Sequence, residues 1–400
     1  MLLAAAWCKQ HRAAPPIALT VDHGLRAASS REAARVATWA RKHKIPHETL
    51  VWTGRKPAKN IQALARAARY RLIAERMRVA DVDVLLTGHT LGDQAETFLL
   101  RLARGSGLDG LSGMAPVAAY PLPEFTRLSL ARPLLGFSHA RLIATLRARK
   151  QKWIEDPSND DDRFARVQIR NLMPALGEAG VTHERIAAAA AHLRRAQRAI
   201  EADVAALIEG GAELSPWGYA LAKPDSFAAA PREVALRALA RLIEALGGGE
   251  YPPRFEQTEL VLAWLVSPKA GPKGRTLGGC RLARRDDETV LIAREEAALA
   301  KENPVVHLEP GESGLWDRRY LVALARVAGE GADVRTLGAP GLKLVGQGAL
   351  LPPMEPRRIA ACAPALWRDG HLAAMPLAGF ESGGTGFSAR FVGLSRLTAG

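Results

Sequence analysis

VDVLLTGHTLGDQAETFLL, residues 82–100, decides the fold. Val82 to Thr87 is a short apolar run of strand length, and at Gly88 it gives way to GHTLGDQAET, where a helix begins. A strand that runs straight into a helix is the half-unit of a parallel sheet wrapped by helices. Two more such units stand upstream. Ile17 to Val21 reads as a buried strand, followed by a helix from Ser29 to His43 entered through Ser29 or Ser30. His47 to Trp52 reads as the next strand, followed by a helix from about Asn60 to Met77. In that helix Ile61, Leu64, Ala68, Leu72 and Ile73 repeat near the helical period, and arginines fill the rest. The alternation predicts an α/β domain built on a doubly wound parallel sheet.

Downstream the pattern changes twice. From about residue 136 to 212 it is helical, with a long segment from Thr182 to Glu209 that carries Ile186, Leu193, Ile200, Val204 and Leu207 on one side, as a connector or buttress would. Beyond 212 short strands and turns take over. RTLGGCRLARRDDETVLIAR (275–294) reads as a hairpin, and ALWRDGHLAAMPLAG (365–379) as another with Asp369-Gly370 at its turn. The expected division is a catalytic domain over 1–135, a helical extension over 136–212, and two small α+β accessory domains over 213–300 and 301–400.

The chain has 400 residues, 48% of them hydrophobic, which is enough for two or three separate cores. Its 55 Lys and Arg against 41 Asp and Glu give a formal charge of +14, which favours a polyanionic partner through counterion release. A solvated basic surface is the competing explanation of the same charge. Cys8, Cys280 and Cys362 stand far apart with no CxxC spacing, so neither a disulfide framework nor a zinc or iron–sulfur site is indicated. The opening MLLAAAWCKQHR has a short apolar run without a leading basic segment, far below the roughly 20 residues needed to cross a bilayer. A soluble, cytoplasmic protein without a membrane partner is expected.

Ligands bind at the carboxyl ends of strands in open parallel sheets, so VDHGLR (21–26) and GHTLGDQAET (88–97) are read together. Alone, Asp22 and His23 could be polar turn residues, with Gly24 there for its permissive backbone. Asp93 with Glu96 three residues later could be a capping box and nothing more.

VDHGLR, NIQALARAARYR (60–71), GHTLGDQAETFLLRLARGSGLDGLSGM (88–114), and WIEDPSND (153–160) with RVQIR (166–170) occur here in one order. In that order they resemble the tRNA(Ile)-lysidine synthases, most closely from about 17 to 176. TLGGCRL (276–282) and LWRDG (366–370) look like that family's carboxyl-terminal modules. The resemblance implies a PP-loop ATP-pyrophosphatase fold of the adenine nucleotide α-hydrolase kind. It implies an ATP- and Mg²⁺-dependent ligase that adenylates the C2 oxygen of the wobble cytidine in a tRNA(Ile) with a CAU anticodon. Free L-lysine then attacks through its ε-amine and AMP leaves. A homodimer is compatible with it.

Carried over by motif, His89 and Asp93 fall on catalytic positions. Val21, Asp22, Arg69, Gly88 and Glu96 fall on ATP or substrate positions, and Arg166 and Arg170 on a basic patch that binds tRNA. The residue types suit the chemistry. A guanidinium such as Arg69 stabilises charge on phosphorus and on the departing pyrophosphate. Asp93 could hold Mg²⁺ or orient the lysine, and His89 could exchange protons near neutral pH. Bland alternatives are a solvated helix charge for Arg69 and surface ion pairs with Asp160 to Asp162 for Arg166 and Arg170. Rival functions are a non-catalytic tRNA-binding remnant and another PP-loop tRNA-modifying enzyme such as a thiolase. The isolated cysteines argue against the latter.

The resemblance breaks at two places. The family carries a strand and an SGGxDS-type loop, a cradle of backbone amides for the ATP phosphates, and the 400 residues contain no such loop. Losing one preorganised donor at such a site costs about 3 kcal/mol, so catalysis is expected to need the whole cradle. Met1 is therefore expected to be an internal methionine, preceded in the natural protein by roughly 25 to 40 residues. Gly92 also stands where many relatives carry an acidic residue, which would leave Asp93 as a single carboxylate at a metal.

Overall fold

The structure is a computed structural model that describes residues 1–24, 29–53, 61–122, 125, 127–154, 165–249, 251–267, 271, 273–346 and 349–393. The DPSN stretch, Asp160 to Asp162, Asn60 and Arg26 lie outside the described residues. The chain forms two compact units, Met1–Arg195 and Ala196–Gly400.

The first unit runs α1 (Leu2–Gln10), β1 (Ala18–Asp22), α2 (Ser29–Lys42), β2 (His47–Val51), α3 (Ile61–Val79), β3 (Val84–Leu86), α4 (Leu91–Leu102), α5 (Leu108–Leu111), β4 (Val117–Ala119), β5 (Ser129–Ala131), α6 (His139–Ala148) and α7 (Ala165–Glu178). The helix α8 (His183–Gly211) begins in it and runs into the second unit. The predicted strands and helices appear within two or three residues of their expected bounds. The expected parallel sheet is present. β1 and β2 pair in parallel from Ala18↔His47 to Asp22↔Val51, while β3 pairs in parallel with β5 and β4 runs antiparallel to β5. Among the described residues no ladder joins β1 to β3, so the sheet stands as two pieces, and Val84 and Leu86 on β3 remain about half-exposed.

The helix α3 spans both pieces. Tyr70, Ile73, Ala74 and Met77 form its buried face, and the cluster they belong to takes in Leu19, Val21 and Leu50 from one ladder and Leu85 and Leu130 from the other. This corrects the expected stripe, since Leu64 is exposed and Ala65 buried. The small side chains of Ala65 and Ala74 let the helix backbone approach the sheet, and Tyr70 is fixed by an edge-on ring contact with Tyr120, whose hydroxyl donates to the Tyr70 carbonyl at 2.6 Å. α4, α7 and α8 meet through Ala95, Met173 and Ile186.

The second unit is sheet-rich. It contains β6 (Ala212–Ser215), β7 (Tyr219–Ala222), α9 (Pro224–Ala229), α10 (Arg232–Gly247), α11 (Phe255–Val266), β8 (Arg275–Leu277), β9 (Cys280–Arg284) and β10 (Val290–Arg294). The strands join in the order β6-β7-β10-β9-β8. The segment expected to be one hairpin is thus three strands, because Gly278 and Gly279 take positive φ (56° and 76°) and add a second reversal. After α12 (Glu296–Glu302) come β11 (Val306–Leu308), β12 (Ser313–Trp316), β13 (Tyr320–Leu324), β14 (Ala332–Thr336), α13 (Gly338–Leu344), α14 (Pro356–Ala361), β15 (Pro364–Arg368), β16 (His371–Met375), β17 (Phe380–Glu381) and β18 (Phe387–Phe391). The β15–β16 hairpin turns at Asp369-Gly370, both at positive φ, as a two-residue turn matched to strand twist requires. One apolar cluster includes Leu242, Ile243 and Ile292 together with Trp316, Tyr320 and Leu366, so buried contacts run across residue 300. Within this unit Asp317 is buried between Arg294 and Arg319.

Candidate active site

The carboxyl end of β3 delivers Gly88, His89 and Thr90 to the start of α4. Thr90 caps that helix: Asp93 is its N3 residue, and the Asp93 Oδ2 accepts both the Thr90 amide and the Thr90 hydroxyl at 2.8 Å. The capping box expected between Asp93 and Glu96 is therefore one turn earlier, since a threonine hydroxyl and the helix amino terminus together suit the Asp93 carboxylate. The box engages only one Asp93 oxygen.

His89 is half-buried, with Nδ1 hydrogen-bonded to the Thr87 hydroxyl at 2.9 Å. Burial lowers its pKa below the usual 6.5. Asp93 pulls the other way, and Arg132, Arg166 and Arg66 reinforce the lowering. The imidazole is therefore neutral at pH 7, and in the tautomer that donates from Nδ1 to Thr87 its Nε2 is the proton acceptor.

Glu96, one turn further along α4, has a side chain only 5% exposed. Arg170 Nε donates to its Oε1 at 2.8 Å, and Arg166 Nε stands 3.6 Å from Oε2 while its Nη2 reaches the Thr97 hydroxyl. The basic pair on α7 is thus anchored to α4 by a buried carboxylate, and both arginine side chains keep nearly half of their surface exposed.

At the end of β1, Asp22 is buried and turned inward on its own neighbourhood. Its Oδ1 accepts the Gly24 amide and the Ser29 hydroxyl, and its Oδ2 accepts the Ser30 hydroxyl at 2.6 Å. The two serine hydroxyls, then the Gly24 amide, bring its pKa down to about 2. Asp22 therefore fixes the β1–α2 turn while lying beside the site. Val21 packs against the α3 core. Arg69 on α3 donates to His23 Nε2 from Nε at 3.2 Å, with its Nη2 at 3.0 Å from the same atom. Gly88 would admit a Cβ without contact, and a Cβ on Gly92 would meet only Thr90 Oγ1 at 3.7 Å and His183 at 4.0 Å. Space is therefore not the reason for glycine at 92.

Sequence reasoning missed three residues here. Gln94 is buried, and its side-chain amide pairs with both backbone groups of Met114, at 3.0 and 2.7 Å. A Cβ on Gly113 (φ 69°) would meet that amide at 2.9 Å, so the glycine lets the loop close onto α4. Arg101 adds bonds to the Gly110 and Gly113 carbonyls. Arg132 follows β5, and Thr87 donates its amide to the carbonyl of the preceding Ala131 at 2.9 Å. Gln94 and Arg101 stand at helical spacing, i and i+7, on α4. For Arg132 no local signal exists. Beside this end of β3 lies an apolar cleft of about 770 Å³ lined by Trp7, Trp39, Leu86, Gly88, Leu142 and Trp153.

Residues 1–176 match the PP-loop domain family. Over 372 residues, 92% of this chain and 82% of the relative, the chain is 36% identical to the tRNA(Ile)-lysidine synthase of Ruegeria pomeroyi. It is 43% identical to that of Methylobacterium nodulans, covering 67% of this chain and 79% of the relative. With that of Wolbachia pipientis wMel the identity is 35%, covering 78% and 71%. The solved U34-tRNA thiolase NcsA from Methanococcus maripaludis covers 48% of this chain and 67% of its own at 14% identity and a TM-score of 0.40, too loose a likeness to bear on function.

Proposed function

The chain belongs to the tRNA(Ile)-lysidine synthase family of ligases, and we propose that it joins the ε-amine of free lysine to C2 of the wobble cytidine in a tRNA(Ile) with a CAU anticodon, at the expense of ATP. The observation that carries this reading is the meeting of a neutral His89, a half-engaged Asp93 and several arginines at the carboxyl end of β3.

In this reading the cytidine O2 attacks the α-phosphorus of ATP, the new O–P bond forms, and the bond to pyrophosphate breaks. Arg69 and its neighbours stabilise the charge on the phosphate oxygens, where a fixed guanidinium needs no reorganisation as charge builds. Lysine then attacks C2, the C2–O bond breaks, and AMP leaves with that oxygen. The amine loses a proton in the step. His89 Nε2 receives it, because burial keeps the imidazole neutral and the Thr87 hydroxyl fixes its orientation through Nδ1. The Asp93 oxygen outside the capping box draws the lysine ammonium to the site.

Among the described residues no group of three His, Cys, Asp or Glu side chains could hold a metal ion. The donor set suits Mg²⁺ only as an ion carried by phosphate oxygens and water, with Asp93 adding one oxygen. Arg166 and Arg170 contact the tRNA backbone. Among the described residues no helix is long and apolar enough to cross a membrane.

The test is incubation of the purified protein with labelled lysine, ATP and a tRNA(Ile) transcript carrying CAU. The reading expects one lysine incorporated per AMP released, and none in a transcript whose wobble base is uridine. ATP-dependent release of pyrophosphate without lysine incorporation would overturn it.

A further inference from the structure

We propose that Arg132, with Arg66 beside it on α3, is a further binding residue for the nucleotide's phosphate chain. The proposal rests on the ligase reading above.

The register of β5 gives the placement. Leu86 lies opposite Ala131, so Arg132 follows at the level of Thr87, whose hydroxyl holds His89. Successive strand residues point to opposite faces, so Arg132 shares its face with Leu130, which is fully buried in a cluster with Tyr70 and Ile73 of α3. Arg66 is one turn before Tyr70 and its guanidinium lies 4.9 Å from the centre of that ring. A helix packed back along a parallel strand brings its amino-terminal turn to the strand's carboxyl end. Arg66 and Arg132 therefore converge on one face at the end of the sheet where His89 stands.

Neither arginine has a carboxylate partner among the described residues. Arg166, Arg170 and Arg76 of the same unit each do. Arg132 is clamped at one end, its Nη1 donating to the Ala115 carbonyl at 2.8 Å and its backbone amide to Pro116, while its Nε is buried without a hydrogen-bond partner. Burial lowers its pKa first, Tyr70 pulls the other way, and Arg66 and Arg101 add to the lowering. An anion entering there would give the buried Arg132 Nε the acceptor it lacks among the described residues. Two convergent guanidinium forks suit an anion with several oxygens, and the end of a parallel sheet is where a nucleotide lies. Both points favour the polyphosphate over a single phosphodiester of the RNA backbone.

The experiment measures binding of ATP, inorganic tripolyphosphate, adenosine and tRNA to the 400-residue chain and to Arg132→Ala, Arg132→Lys and Arg66→Ala. Arg132→Ala is expected to weaken ATP and tripolyphosphate by about 10- to 100-fold, with adenosine and tRNA unchanged. Arg132→Lys should recover part of the loss, because it keeps the charge but not the fork. Arg66→Ala, at an exposed helix position that cannot unfold the unit by truncation alone, should weaken tripolyphosphate in the same direction. Unchanged tripolyphosphate binding in Arg66→Ala and in a folded Arg132→Ala overturns the proposal. So does a loss confined to tRNA, or a wild-type protein that does not bind tripolyphosphate. If these binding results hold but lysine is never transferred, the ligase reading falls and the phosphate subsite stands.

Discussion

Replacing Glu96 with alanine tests how α7 is held on α4. The carboxylate is 5% exposed and faces Arg170 Nε at 2.8 Å and Arg166 Nε at 3.6 Å, while the two arginine side chains are 44% and 48% exposed. Breaking a fully buried pair costs about 3–5 kcal/mol, and an exposed pair contributes at most about 1 kcal/mol. Here the acid end is buried and the basic ends are not, so the orphaned guanidinium groups rehydrate and the loss falls between those limits, near 2 kcal/mol. A unit of the length of Met1–Arg195 loses about 2–4 °C of melting temperature per kcal/mol, so its transition should fall by about 4–8 °C. Calorimetry that follows the two units separately should show the second transition unmoved. Glu96→Gln keeps the shape and one acceptor oxygen, so its melting shift should be about half as large. Its lysine transfer should drop by about 10-fold or more, because the arginines lose the charge that orients them. A Glu96→Gln protein that melts and turns over as the wild type does would show that the carboxylate holds nothing.

Because burial depresses the His89 pKa, its neutral form persists as pH falls through 6.5, so the acid limb of kcat/KM should lie below that value. Asp93→Asn removes the one neighbour that raises it, and should move the limb lower still while cutting the rate; a limb at or above 6.5 in the wild type refutes the assignment. Asp22, with its pKa lowered to about 2, contributes stability that is complete above about pH 4 and is lost as pH falls toward 2. Asp22→Asn should therefore lose about 1–3 kcal/mol at neutral pH in urea denaturation, with the gap to wild type closing in acid. Arg69→Ala should greatly reduce lysine transfer and leave the melting temperature unchanged within about 2 °C, since among the described residues its hydrogen bonds go to the His23 ring. Equal rates in Arg69→Ala and wild type would end its assignment.

What the sequence made legible was whatever is periodic or punctuated. Strands β1, β2 and β3 and helices α2 and α4 follow from apolar runs closed by Ser29 or by the Gly88–Thr90 stretch, because burial and capping act on neighbours in sequence. The stripe on α3 was misread because its burial depends on which face two separate ladders leave for it. Tyr70 and two alanines fit there, whereas Leu64 does not. The site was legible in its residue types and only partly in its partnerships. His89 and Asp93 come together on one turn, as their spacing requires. Glu96, read as an ATP or substrate contact, faces Arg166 and Arg170, 70 and 74 residues away, and no local rule pairs residues at that separation. Arg132 and Gln94 acquire their meaning only from strand register and from the path of the Gly113 loop.

The charge of +14 shows why composition pointed to an anionic partner without saying where it binds. The arginines are not interchangeable. Arg237 and Arg241 close on Glu201, Arg281 on Glu355, and Arg294 and Arg319 on Asp317, all within the second unit, where each acid neutralises the cations that fold around it. Arg76 is matched by Glu48 in the first unit. Arg66 and Arg132 have no such acid among the described residues. Positive charge thus gathers around His89 and adds to the burial that holds the histidine neutral. An anion entering there would do two things at once: relieve the repulsion among the guanidinium groups and raise the His89 pKa. The proton acceptor for lysine would then be strengthened by the arrival of the phosphate it must follow. Titration of the His89 imidazole by NMR with and without tripolyphosphate should therefore move its pKa upward, and a pKa that stays in place would separate the arginines from the histidine and undo the argument.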